Sequence, residues 1–401
     1  MRVELALAPS QRDLRLDLFR GLANWAMFLG HISSSVLAWF SFRNYGFSDG
    51  ADLFVFISGY TSALVYTRRM VERGFVFGAT RLFRRVWQIY VAHILLFVAY
   101  LATIHFMSRQ FDAPDFNVAP LLSAPVETLT EGLLLRYKPL NLDVLPLYVV
   151  LMGTFAPVLW LMHRHGNLVM LGSVLIYLAA RQFGWNLPSY PSGVWYFNPF
   201  TWQLLFVLGA WLALGGANTL HFLVRSRVIF LLGLIYLAFA ASMTLAGYFP
   251  ELQSVFPPVL FEAFIPNDKT NLAPYRFLHL AVLIIIGARL VPVDTAGLRA
   301  AIWHPLIKCG QQSLEVFCVG IYLSFIGTLV LQKVSGGIIV QLGVGAVGIA
   351  IMTGVAYYRS WSKRAEKPAQ TGGHRSAQPP DFELTSGDSR LSSPGLQGIS
   401  A

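Results

Sequence analysis

Apolar residues fall in ten long runs, at roughly 17–40, 51–67, 86–107, 143–162, 167–183, 200–216, 227–247, 275–291, 312–332 and 336–358. Several approach the about 20 residues that a helix needs to cross the hydrocarbon of a bilayer. The pattern therefore predicts an all-α, polytopic integral membrane bundle of about ten transmembrane helices. The polar stretches between the runs alternate in character. One set is basic: Arg68, Arg69, Arg73, Arg81, Arg84 and Arg85, then His163 to His165, Arg225 with Arg227, and Arg299 with Lys308. Arg359, Lys363 and Arg364 follow the last run. The other set, 108–142, 184–199 and 248–274, is longer and rich in Pro, Asn and aromatics. Lys and Arg accumulate on the cytoplasmic side of membrane proteins, so both termini are expected inside and the second set outside. From about Glu366 the chain is rich in Gly, Ser, Pro and Gln without helical period. A disordered tail over 363–401 is expected there, after a membrane domain over 1–362.

Composition agrees with a membrane protein. Hydrophobic residues make up 55% of the 401 positions and charged residues 12%, against about 25% charged in a soluble domain. The net charge of +10 sits at the ends of apolar runs, which is a topology signal and not a nucleic-acid footprint. The two cysteines, Cys309 and Cys318, imply neither a disulfide framework nor a metal site. The N-terminus does not read as a cleavable signal, because charges persist to Arg20.

The first run, Leu14 to Phe40, carries polar residues that a plain anchor would avoid. At about 100° per residue, Asp17, Arg20, Asn24, His31 and Ser35 fall on one stripe about 60° wide. Such groups either glue helices together or face a wet cavity and serve function. The shared alignment favours function. Arg20 and His31 stand about 16 Å apart along a helix axis, which suits reagents arriving from opposite sides. Asp52 opens the second run near the same outer face and is the first choice to orient His31. Asp49 stands behind it, as a helix-start carboxylate favoured by the dipole. Glu315 is a further intramembrane acid, with Arg20 or another first-helix group as its expected partner; catalytic and structural readings of it are equally open.

Arg81, Arg84 and Arg85 form R-x-x-R-R at the start of the third run. Guanidinium pairs grip phosphates, although topology alone also places arginines there. Trp185, Tyr190, Trp195, Tyr196, Phe197, Phe200 and Trp202 make an aromatic cluster, interleaved with Asn186, Asn198 and Gln203. Rings of this kind cover a sugar face while amides bond its hydroxyls; an interfacial belt is the competing reading. Asn24, Trp195, Asn198, Trp202 and Gln203 are the substrate-binding candidates. Lys269, Arg276 and His279 form an outer group, and Arg136 with Lys138 another. No P-loop, HExxH or GxSxG spacing occurs, so no metal site is expected.

The spacing of Arg20, ten residues, then His31 resembles the signature of acyltransferase-3 membrane acyltransferases, and DGADLFVFISGY resembles their second-helix motif. The wording RDLRLDLFRGLA, FSDGADLFVFISGYTSALVY, RLFRRVWQIYVAH, NLDVLPLYVVLM, NPFTWQLLFVLGAW and GQQSLEVFCVGIYLSF resembles the OpgC family more closely, from about Arg12 to Tyr358. OpgC relatives often carry Asp where this chain has Gly30, which leaves open the carboxylate that orients His31. The resemblance implies an inner-membrane O-acyltransferase that takes succinyl from cytoplasmic succinyl-CoA to hydroxyls of periplasmic glucans. It implies His31 as general base, with Asp52, Arg20 and Glu315 as further catalytic candidates and Arg81, Arg84 and Arg85 on the CoA phosphates. No resident cofactor is implied, since succinyl-CoA is a substrate. Direct transfer and a covalent acyl-enzyme both stay open, as does the oligomeric state. Rival readings are acetyl transfer to another envelope polysaccharide, and a transporter or flippase using His31 as a proton relay.

Overall fold

The computed structural model describes residues 13–33, 35–107, 119–139, 141–292 and 295–366. The chain divides into two compact units, Met1–Trp361 and Ser362–Ala401; the tail expected to be disordered lies, past Glu366, outside the described residues. Among those residues the architecture is all-α apart from one isolated bridge between Pro188 and Val194.

The helices that frame the site are α1 (Leu14–Gly30), α2 (Gly50–Arg73), α3 (Phe75–Met107), α4 (Val144–Gly153) and α5 (Phe155–Phe183). They continue with α6 (Pro199–Trp211), α7 (Arg227–Ala246), α8 (Pro274–Leu290), α9 (His304–Gln311), α10 (Ser313–Lys333) and α11 (Ile338–Ala365). Six helical stretches among the described residues are long and apolar enough to cross a membrane: Phe75–Phe106, Phe155–Phe183, Pro199–Thr219, Arg227–Ala246, Ser313–Lys333 and Ile338–Ala365. Large apolar side chains such as Phe106, Val76 and Ile339 stand exposed on them, as a surface facing lipid requires. The remaining expected runs appear as α1, α2, α8 and α4, of 17, 24, 17 and 10 residues. α5 is interrupted at His165 (φ −137°, ψ 57°), inside the basic connection expected from the sequence.

The first helix is shorter than its apolar run. It starts on Asp13, whose side chain accepts from the Arg15 amide, and ends at Gly30 rather than Phe40. Ser35 accounts for the change of direction after the stop. Ser35 uses its hydroxyl to cap a separate 3₁₀ turn, Val36–Phe40, and side chains of this type divert backbone bonds from a helix. Ser35 therefore leaves the expected stripe. α2 starts on a reciprocal cap: the Ala51 amide donates to Asp49 Oδ1 at 2.8 Å, and the Asp49 amide to Asp52 Oδ2 at 2.8 Å.

Two helix pairs meet backbone to backbone. A Cβ at Gly59 of α2 would overlap the Phe206 carbonyl of α6, and one at Gly209 of α6 the Phe56 carbonyl of α2. Between α1 and α9, a Cβ at Gly21 would overlap the Leu306 carbonyl and one at Gly310 the Asp17 carbonyl. Small residues permit this approach where dispersion, not hydrophobic expulsion, holds helices together. These pairs clamp α1 and α2 into the bundle, and α1 and α2 carry the site.

Candidate active site

Just past the last turn of α1, His31 lines a cavity of about 270 Å³. Its Nδ1 lies 2.5 Å from the Met27 carbonyl. A carbonyl can only accept, so Nδ1 carries the proton and Nε2 keeps its lone pair. The wall of the same cavity includes Asp49, Lys269, Arg43, Tyr196 and Phe197.

A buried ionic knot braces this wall. Asp49 accepts from Lys269 Nζ at 2.6 Å and pairs with Arg276 at 3.0 Å. Burial alone would raise the Asp49 pKa, but the Lys269 and Arg276 charges outweigh it and hold the carboxyl well below its usual range. Arg276 Nε donates to Asp52 Oδ1 at 2.9 Å, a second Arg276 nitrogen bonds Asp52 Oδ2, and a third bonds the Phe47 carbonyl at 2.6 Å. His279 Nδ1 lies 2.7 Å from Ser48 Oγ. Outside this knot, Lys138 Nζ stands 4.1 Å from the Trp195 ring centroid, and burial lowers its pKa to about 8.

A second cavity, of about 630 Å³, opens toward the other end of α1 and α2. Arg20, Arg68, Arg69 and Arg85 line it, with Ser58 and Tyr148 deeper in. Arg20 donates to Thr61 Oγ1 at 2.7 Å, and the Tyr148 hydroxyl to Ser58 Oγ at 3.1 Å. Phe317 lines both cavities. It stacks on Phe54 with ring centroids 5.8 Å apart, and Tyr148 meets Phe54 edge-on at 5.6 Å. These three rings form a septum between an arginine-lined end and a histidine-lined end.

The residues singled out in the sequence divide accordingly. His31 and Arg20 line different cavities along one seam. Asn24 lies between them, 2% exposed, and among the described residues its amide has no hydrogen-bond partner. Asp52, expected to orient His31, is fully buried against Arg276, and the Met27 carbonyl holds the imidazole. Glu315 pairs with Arg359 at 3.3 Å. Of the R-x-x-R-R arginines, Arg85 lines the larger cavity while Arg81 and Arg84 stand exposed outside its lining. The aromatic segment is largely scaffold. Asn198 caps α6 and donates to the Trp185 carbonyl at 2.7 Å. Trp202 donates to the Lys269 carbonyl at 3.0 Å, so it anchors the loop bearing Lys269. Gln203 accepts from Ser173 Oγ at 2.7 Å, and Trp195 is buried. Tyr196 and Phe197 are the members that reach the cavity.

Sequence reasoning passed over Arg43, Asn141, Asp143, Ser58, Tyr148 and the Phe54–Phe317 pair, all of which line a cavity. The FSDGADLFVFIS and NLDVLPLY wording contained Phe54, Ser58, Asn141, Asp143 and Tyr148 as a signal. Nothing in the chain marked Arg43.

This is a multi-pass helical membrane protein with two chemically different cavities that share Phe317 in their walls. The family model described as OpgC protein matches residues 12–364, and the chain belongs to that family. OpgC is a family of glucan acyltransferases, and membership implies a glucan succinyltransferase-type function. No curated protein and no solved structure matches the chain.

Proposed function

We propose that the protein transfers succinyl from cytoplasmic succinyl-CoA to hydroxyls of a periplasmic glucan, with no resident cofactor and with His31 as general base. The observation that carries the reading is the His31 ring: Nδ1 is committed to the Met27 carbonyl, and Nε2 is a free base on a cavity wall. In the donor-side cavity, Arg68, Arg69 and Arg85 supply guanidinium groups suited to the CoA phosphates. The pantetheine arm then runs past Arg20 and Ser58 toward the septum. In the acceptor-side cavity, Nε2 takes the proton of a glucose hydroxyl as its oxygen attacks the thioester carbonyl. The tetrahedral intermediate collapses, the C–S bond breaks, and the CoA thiolate leaves. Direct transfer of this kind requires no acyl-enzyme. The concentration of Arg68, Arg69 and Arg85 at one end supports placing that end, and both termini, in the cytoplasm of the inner membrane.

Purified protein with succinyl-CoA and periplasmic glucan tests the proposal by mass analysis of the glucan. Succinylated glucan with release of free CoA is the expected result. Acetyl-CoA as the sole accepted donor would replace succinyl transfer by acetyl transfer. Movement of a substrate without change in mass would make the protein a transporter.

A further inference from the structure

Four charged side chains line the His31 cavity: Arg43, Asp49, Asp143 and Lys269. Lys269 is bonded to Asp49, and Asp49 is shared with Arg276. Asp143 and Arg43 are the two without an ion pair or side-chain hydrogen bond among the described residues, and of the two cations Arg43 is the one no carboxylate holds. Arg43 is exposed and also lines the cavity, so its guanidinium is solvated and free to exchange water for an anionic ligand.

The fold holds this residue in place. Arg43 sits in a 3₁₀ turn, Phe42–Asn44, within the segment that doubles back over the end of α1. Its neighbour Asn44 is buried, donating to the Ala38 carbonyl at 2.8 Å and accepting from the Tyr248 hydroxyl at 2.9 Å. Ser41 is buried on the other side. Gly30 makes the doubling back possible: a Cβ there would come within 2.9 Å of Ser41 Oγ, and the same point is 4.0 Å from Arg43 Cδ. The arginine stem thus lies beside the residue that immediately precedes His31.

We propose that Arg43 binds the distal carboxylate of the acyl group, placing the thioester carbonyl at His31 and selecting a dicarboxylic donor over a neutral one. The inference rests on the succinyl-transfer reading above. A succinyl thioester carries its two functional ends on a two-methylene spacer, and the lining of this one small cavity includes both a base, His31, and a cation, Arg43. Lys269 cannot serve equally, since Asp49 already occupies its ammonium. No bond to the acyl group is made or broken by Arg43, so it is a binding residue whose effect is on donor choice.

The test compares succinyl-CoA with butyryl-CoA, which has the same chain length but a methyl in place of the carboxylate. Purified wild-type protein, Arg43→Gln and Arg43→Lys are each given both donors and periplasmic glucan. A hydrogen-bonded charge contact is worth about 1.5–3 kcal/mol, so Arg43→Gln is expected to lower the succinyl-to-butyryl ratio about 10- to 100-fold. Arg43→Lys is expected to keep part of the preference. An unchanged ratio, including equal loss with both donors as an acceptor or folding role would give, overturns the proposal. Those outcomes leave the function standing, because the wild type still succinylates glucan. A wild type that transfers no acyl group overturns the function and this inference together.

Discussion

His31 and Asp52 were both legible as candidates from their positions in apolar runs, yet the structure gives them opposite surroundings. The imidazole borders open space with one nitrogen free, whereas the Asp52 carboxylate is enclosed by Arg276. His31→Ala is therefore expected to lower glucan succinylation about 100- to 10,000-fold with normal abundance and thermal stability. Protonation of His31 removes its lone pair, so wild-type kcat/KM is expected to fall on the acid side of its pH profile. A profile with no acid limb would remove His31 as the base. Asp52→Ala is expected to act on the fold instead. Removing one partner of a buried pair costs about 3 kcal/mol, so its thermal unfolding in detergent should shift downward along with activity. The Asp52–Arg276 contact spans 224 residues of chain. No periodicity within either helix could announce it, and so the sequence offered Asp52 to His31, the nearest conspicuous partner.

At the scale of elements, hydrophobic runs located the helices well and their ends poorly. The run through Phe40 stayed apolar, but the helix stops at Gly30 and Ser35 caps a separate turn, and the returning segment brings Arg43 to the His31 cavity. The arginines of α3 carry the same lesson. Their spacing was plain in the sequence, while their separation into one cavity-lining and two exposed side chains depends on where α2 packs. Arg85→Ala is thus expected to raise the KM for succinyl-CoA several-fold, with little effect on a truncated thioester lacking the CoA phosphates. Arg81→Ala and Arg84→Ala are expected to change either value less. Equal losses for full-length and truncated donors would mark Arg85 as a topological charge only.

For the whole molecule, composition and run length fixed the class, and the motifs pointed to the family that the match over residues 12–364 shows. Which aromatic residues reach the cavity was not legible, because belt, scaffold and sugar platform draw on the same side chains. The two-ended arrangement makes a prediction at this scale. Proteoliposomes holding succinyl-CoA inside, with the arginine-lined end inward and glucan outside, are expected to yield succinylated glucan outside and free CoA inside. Product formed only when both reagents share one side would remove the trans-membrane route and leave His31 as a base.

The ring stack of Phe54, Phe317 and Tyr148 has a consequence for the cell's energy supply. A molecule open from one face to the other would be a wire for protons and would drain the gradient on which the host membrane runs. Apolar constrictions block ions by excluding water, so these rings are placed to insulate one cavity from the other, as the proposed transfer across the membrane would require. Phe317→Ala is expected to thin that insulation. Liposomes carrying this variant and a pH-sensitive dye should lose an imposed proton gradient faster than wild-type liposomes, with no substrate added on either side.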